Sequence, residues 1–385
     1  MAEPASIEAL FTPFSLGPIT LPNRIVMSPM TRCKSPRGVP GADVAGYYAR
    51  RAAGGVGLII TEGVGIEHPS ALGHGISGDD DVPFMYGSAA LAGWKKVVED
   101  VHAAGGLIAP QLWHTGPIRL AGTGPCPEAP SMRPSGIWGP LGNAPVPPDY
   151  LAQQLPPTRP MSESDIADVI AAFASAAVNA KAVGFDGIGV HAAHGYLIDS
   201  FFWKETNLRT DRWGGDPVAR TRFGVEVVKA IRAAIGTELP IFFRWSQWKQ
   251  QDYGARLAET PQQLEALLQP LADAGVDLFD TSTRIYSTPA FEGSAMTLAG
   301  WARKVTGKPA MAVGGVGQSK DLYRSFEDGT VAVNNLGLAA DHIARGEFDL
   351  IASGRSLLID PRWVQKLRND QPFEPFDLAL LKQLT

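Results

Sequence analysis

In VHAAHGYLIDSF (190–201), two histidines three residues apart, a glycine and a tyrosine close an apolar run. Imidazoles donate or accept hydrogen bonds near neutral pH, and a phenol carries a proton it can transfer. His191 and His194 could therefore grip one substrate oxygen while Tyr196 supplies a proton beside it. A His-x-x-His pair can also ligate zinc. A catalytic zinc site needs a third protein ligand, however, and the nearest carboxylate is Asp199, with no cysteine or paired acidic motif close by. No metal is expected. A purely structural role, with the ring nitrogens satisfied by backbone, stays open for the pair at this point.

Something must bring those residues to a cavity. The 385-residue chain is 45% hydrophobic and 19% charged, so it can bury a sizeable core. Its net charge of −5 comes without long runs of one sign, so nothing in it points to a nucleic-acid or membrane surface. Two cysteines, Cys33 and Cys126, are too few for a four-cysteine iron–sulfur cluster or a disulfide scaffold, and they fit a reducing compartment. The first residues show no basic segment followed by an apolar one, and no apolar run reads as long enough to span a bilayer. The expectation is a cytoplasmic monomer or homodimer acting on a small molecule.

Short apolar runs alternate with amphipathic ones throughout. Candidate strands are RIVMSPM (24–30), VGLIITEG (56–63), LIAPQLW (107–113), FDGIGVHA (185–192), IFFRWS (241–246), VDLFDTS (276–282), PAMAVGG (309–315) and DLIASG (349–354). Helical faces fill the gaps, as with Ile166, Val169, Ile170, Phe173 and Ala177, and Thr260-Pro261-Gln262-Gln263 supplies a helix start. Eight such alternations predict a single-domain (β/α)8 TIM barrel over residues 1–385. A doubly wound sheet is the alternative, but the segment after residue 30 lacks its Gly-rich first turn. Residues 116–160 hold a dozen prolines and little periodicity. Inserted after the third strand, on the face where barrel active sites lie, they read as a lid.

The polar residues of this pattern fall at strand ends: Thr31, Gly63, Gln111, His114, His191, His194, Arg244, Arg284, Gly314-Gly315 and Gly354-Arg355. A closed barrel would gather them at one mouth. A glycine pair alone is usually a tight turn. Combined with Gly-Arg one strand later, it predicts a phosphate site built from backbone N–H groups and a bidentate cation.

SPMTR (28–32), QLWHTG (111–116), HAAHGYLIDSFFWKETNLRTDRWGGD (191–216) and the late Gly-Arg pair, in this order, resemble the old yellow enzymes, FMN-dependent ene reductases, over almost the whole chain. The resemblance implies that Pro29, Met30 and Thr31 border the flavin ring, that Gly63 passes close to it and that Gln111 bonds its pyrimidine edge. It implies Arg244 at the N1/C2 side, stabilising the anionic reduced flavin, and Gly315, Val316, Gly354 and Arg355 at the phosphate. His191 and His194 would hold a substrate carbonyl, Tyr196 would give the proton, and Trp113 would limit substrate size. The implied activity is ping-pong reduction of α,β-unsaturated carbonyl compounds, with NADH or NADPH as reductant. Other readings are a flavin-dependent dehydrogenase of the same broad family, a metal-dependent barrel hydrolase and a non-catalytic flavin-binding protein. Three departures bear on the mouth: Pro117 where many relatives carry arginine, GDPVARTRF without the usual Glu-Asn-Arg, and His74 where several have an aromatic. Cys33 lies two residues beyond the position where some relatives carry a flavin-tuning cysteine.

Overall fold

A computed structural model describes residues 6–76, 80–321, 324–325 and 329–385. A short hairpin, β1 (Phe14–Leu16) and β2 (Ile19–Leu21), precedes eight parallel strands. These are β3 (Ile25–Met27), β4 (Leu58–Gly65), β5 (Ile108–Trp113), β6 (Ile188–His191), β7 (Ile241–Ser246), β8 (Leu278–Ser282), β9 (Ala310–Val313) and β10 (Leu350–Ser353). They pair in sequence order and close through β10 on β3, so the architecture is the (β/α)8 barrel that the alternation predicts. Most strands are shorter than the apolar runs that announced them, because pairing stops where the chain bends into the loops at the mouth.

Inside the barrel, Val26, Leu58, Ile60, Ala109, Phe242, Leu278, Met311, Leu350 and Ala352 form one small core. Leu16 and Leu21 of the hairpin join it. The hairpin thus stoppers the end at which the strands start. It turns at Gly17, whose φ of +56° is a left-handed value that favours glycine. Only the opposite end can open to a ligand.

Around the strands run helices α1 (Ala42–Ala53), α2 (Ser88–Ala103), α3 (Pro148–Gln154), α4 (Glu163–Val183), α5 (Leu197–Phe202), α6 (Pro217–Ile235), α7 (Pro261–Ala274), α8 (Leu298–Thr306), α9 (Leu336–Ala344) and α10 (Arg355–Ile359). Helix α4 starts at a reciprocal cap: Ser162 Oγ accepts from the Asp165 N–H, and Asp165 accepts from the Ser162 N–H. At α7, Thr260 accepts from the Gln263 N–H, while the Gln263 side chain reaches the N–H of Glu259 instead of the capping residue's own. Helix α4 also corrects one expectation, since by length and composition it is apolar enough to cross a bilayer. Its alanines account for this. Ile166, Val169, Phe173 and Ala177 are buried in the core between barrel and helices, as a barrel helix requires.

Residues 116–160 are tied down by two buried arginines. Arg119 donates to the carbonyls of Leu72, Thr123, Cys126 and Ala129, and Arg133 donates to those of Gln154 and Pro156. Prolines leave many carbonyls without a neighbouring N–H, and a guanidinium with five donors satisfies several at once. The segment leans on the loop after β7: Gly142 N–H donates to the Gln251 carbonyl, and Gln251 Nε2 donates to that of Trp138 at 3.2 Å.

Candidate active site

Above the apolar interior lies a polar layer. Gln111 on β5, His191 on β6, Arg244 on β7 and Asp280 on β8 lie in the mouth-side halves of their strands; Gln111 is in register with Gly189, His191 with Arg244, and Arg244 with Asp280. On β4 an irregularity between Ile60 and Gly63 breaks the two-residue alternation and sets Gly63 beside Gln111. It also sends Glu62 to Tyr48 of α1, whose hydroxyl accepts the Glu62 N–H at 3.0 Å. The Glu62 carboxylate accepts the N–H groups of Arg32 (2.8 Å) and Cys33 (3.2 Å), immediately after Thr31. Burial raises this carboxyl to about 7, against the pull of those two N–H groups and Arg32.

Beyond β6 the chain makes a tight turn. His194 and Gly195 take φ values of +66° and +84°, and a side chain on Gly195 would strike Gln251. The turn is gripped at each residue. The His194 N–H donates to Ser246 Oγ at 3.0 Å, its carbonyl accepts from the Gln250 N–H, and the Gly195 N–H donates to Asp199 Oδ2 at 2.7 Å. Asp199 is paired through its other oxygen with Lys249 Nζ at 2.8 Å, both side chains fully buried.

This turn sets the two imidazoles 5.2 Å apart, centroid to centroid, with the Tyr196 ring 4.7 Å from His191 and 4.9 Å from Trp113. Burial, reinforced by Arg244, holds both histidines well below the usual imidazole range; for His194 each other's proximity adds to it. Both are therefore neutral at pH 7. His191 Nδ1 accepts the Ala193 N–H at 3.4 Å, so the ring's proton belongs on Nε2, which is thereby a donor. His194 Nε2 shares a 2.8 Å hydrogen bond with Ser282 Oγ and stacks on Trp248, centroids 4.2 Å apart.

Two adjoining cavities, about 110 and 490 Å³, share Pro29, Met30, Thr31, His194 and Tyr196. The smaller is completed by Gly63, Gln111, Trp113, His191 and Arg244; the larger extends past Gly314, Gly315 and Val316 to Gly354 and Arg355. Every residue given a part in holding flavin or substrate lines one or the other, whereas His114, also expected at the mouth, lines neither and is buried with its Nδ1 accepting the Gly116 N–H. None of the lining comes from residues 116–160, whose contact with the site runs through the loop after β7. His74 pairs with Asp80 at 2.5 Å and, like Cys33, lines neither cavity. Gly63 has a reason of its own: a Cβ there would sit 2.5 Å from the Trp113 ring.

The cavity suits a flavin mononucleotide. Its narrow end offers donors and acceptors for a heteroaromatic edge: the Gln111 amide makes no side-chain hydrogen bond among the described residues, and Nη1 of Arg244 is likewise without a partner. Its wide end offers Gly314 and Gly315, at φ +137° and +67°, where a side chain on either would collide with Thr283 or Ile285. Arg355 lies beside them, its guanidinium lowered to about 10 by burial and held by the carbonyls of Lys320 and Asp321 and by Ser325.

Several contributors escaped the sequence reading: Asp280, Ser28, Ser282, Trp248 and Asp321. Asp280 had a signal. An acid two residues from Leu278 and two from Ser282, inside an apolar strand, faces the interior with them. Trp248 had none, because its approach to His194 depends on the backbone pairing of His194 with Lys249.

A closed parallel barrel with such a cavity at its open end is the frame of a barrel protein that could hold a flavin. The chain belongs to the NADH:flavin oxidoreductase / NADH oxidase family, the old yellow enzymes, whose model it matches over residues 9–374. It is 33% identical over 378 residues to the NADH oxidase of Thermoanaerobacter brockii, covering 95% of this chain and 51% of that protein. It is 39% identical over 233 residues to 12-oxophytodienoate reductase 7 of Oryza sativa subsp. japonica, covering 60% and 56%. The matches thus span about half the length of these two relatives. The structure of morphinone reductase in complex with tetrahydroNAD superimposes with a TM-score of 0.77 at 29% identity, covering 97% of this chain and 94% of that one.

Proposed function

We propose that this chain is an NAD(P)H-dependent FMN ene reductase that reduces the C=C bond of α,β-unsaturated carbonyl compounds in two alternating half-reactions. One observation carries the proposal: two neutral imidazoles and a phenol line the same narrow cavity as Thr31, Gly63, Gln111 and Arg244. FMN, when bound, would supply two-electron hydride chemistry between a nicotinamide and an activated alkene. The protein's part is to handle charge and protons. Donors from His191 Nε2 and the His194 ring hold the carbonyl oxygen, on which negative charge grows as hydride arrives, so they act most strongly in the transition state. Tyr196 delivers its phenolic proton to the α-carbon. Gln111, Thr31 and Arg244 would hold the flavin ring, and Gly315, Val316, Gly354 and Arg355 its phosphate.

The purified protein should be yellow, lose its flavin absorption under NADH or NADPH without oxygen, and recover it on adding cyclohexenone. A colourless protein that cannot be reconstituted with FMN would sink the proposal.

A further inference from the structure

Arg244 does not face the cavity as an isolated cation. Its Nε donates to Asp280 Oδ2 at 2.6 Å, and its Nη2 donates to Asp280 Oδ1 at 3.3 Å and to Ser28 Oγ at 2.9 Å. Asp280 is 1% exposed and lies level with Arg244 on the neighbouring strand. The carboxylate takes one edge of the guanidinium fork and leaves Nη1 for the cavity that Gly63, Gln111 and Thr31 also line. Two consequences follow from this geometry. The planar fork is fixed in orientation, as a bidentate pair fixes it. The positive charge is also largely balanced by a carboxylate 2.6 Å away, both side chains being buried, so screening between them is weak.

We infer that Asp280 is a positioning residue that sets the reduction potential of the bound flavin, aiming Arg244 at the ring while damping its charge. A bare arginine there would favour the negative charge that a flavin gains on reduction. The carboxylate holds that preference down, so the reduced ring remains able to give up hydride. This rests on the placement of FMN proposed above.

The test measures the flavin itself. Wild-type, Asp280→Asn, Asp280→Ser and Asp280→Glu proteins are loaded with FMN and their potentials read by equilibration with a reference dye. Asn and Ser remove the charge, one keeping nearly the same shape and the other leaving room for water, and each should raise the potential. The expected change is about tenfold in the two-electron equilibrium, which is about 30 mV. Glu keeps the charge and should stay near wild type. A potential in the Asn and Ser variants equal to or below wild type would overturn the inference, as would a Glu variant shifted as far as the Asn variant. Folded Asn and Ser variants that cannot hold FMN would overturn it too, leaving Asp280 an architectural role alone. A wild-type protein that binds no FMN would instead defeat the proposed function, so the two failures are distinguishable.

Discussion

The ring of Tyr196 is pinned edge-on between Trp113 and His191, with centroids 4.9 and 4.7 Å away. Phenylalanine would keep both contacts and lose only the hydroxyl, so Tyr196→Phe separates proton donation from architecture. Reduction of the flavin by NAD(P)H should proceed at the wild-type rate, and reoxidation by cyclohexenone should slow by about two orders of magnitude. Stopped-flow measurement of each half-reaction decides the matter, and an equal loss in both would contradict the assigned role. At this scale the sequence was informative: His191, His194, Gln111, Arg244, the Gly314-Gly315 pair and Gly354-Arg355 all line the two cavities. It was blind where a role depends on the partner. Arg244 reads as a free cation in IFFRWS, and only the register with β8 reveals that Asp280 meets it.

Among the elements, the loop after β7 and the turn after β6 behave as one piece. Lys249 and Asp199 come from opposite sides of that seam, and each also holds backbone: Lys249 the Ser246 carbonyl at 3.1 Å, Asp199 the Gly195 N–H. Burial pushes the aspartate up and the lysine down, while their attraction opposes both shifts. Removing one partner leaves a buried, uncompensated charge, whereas removing both does not. Lys249→Met should therefore destabilise the protein by about 3–5 kcal/mol. Asp199→Leu/Lys249→Met should be less destabilised than the sum of its single variants, as a double-mutant cycle of unfolding free energies would register. Additive losses would mean that the pair is not coupled. Element boundaries were only partly legible. The alternation of apolar runs gave the barrel, but the irregularity in β4, which turns Gly63 toward the site and Glu62 toward α1, cannot be read from a strand pattern of period two. The insertion's packing was hidden for a similar reason, since Arg119 and Arg133 bond to backbone carbonyls, which carry no mark in a sequence.

For the molecule as a whole, the buried ionisable groups link stability to pH. His114 and His191 are almost fully buried and His194 is half-buried, and desolvation holds all three well below 6.5. His114 Nδ1 accepts the Gly116 N–H, and its Nε2 has no partner among the described residues, so nothing there would receive a second proton. Below about pH 6.5 the unfolded chain binds three protons that the folded chain refuses, and stability must fall with acidification. Glu62 acts in the opposite sense. Its carboxyl is raised to about 7, so between 7 and 4.5 the folded protein holds a proton that the unfolded chain has released, and acidification favours folding. Burial also lowers His68 and raises Asp199 and Asp280; each proton contributes at most about 1.4 kcal/mol per pH unit, so four histidines outweigh three carboxyls. With FMN concentration held constant, the melting temperature should decline steadily from pH 6.5 to 5. Glu62→Gln removes one opposing contribution while keeping an oxygen for the N–H groups of Arg32 and Cys33, and its decline over the same interval should be steeper. A wild-type curve that stays flat between those limits would mean that the histidines accept protons in the folded state. The two neutral imidazoles on which the proposed grip of a carbonyl oxygen depends would then not exist at that pH.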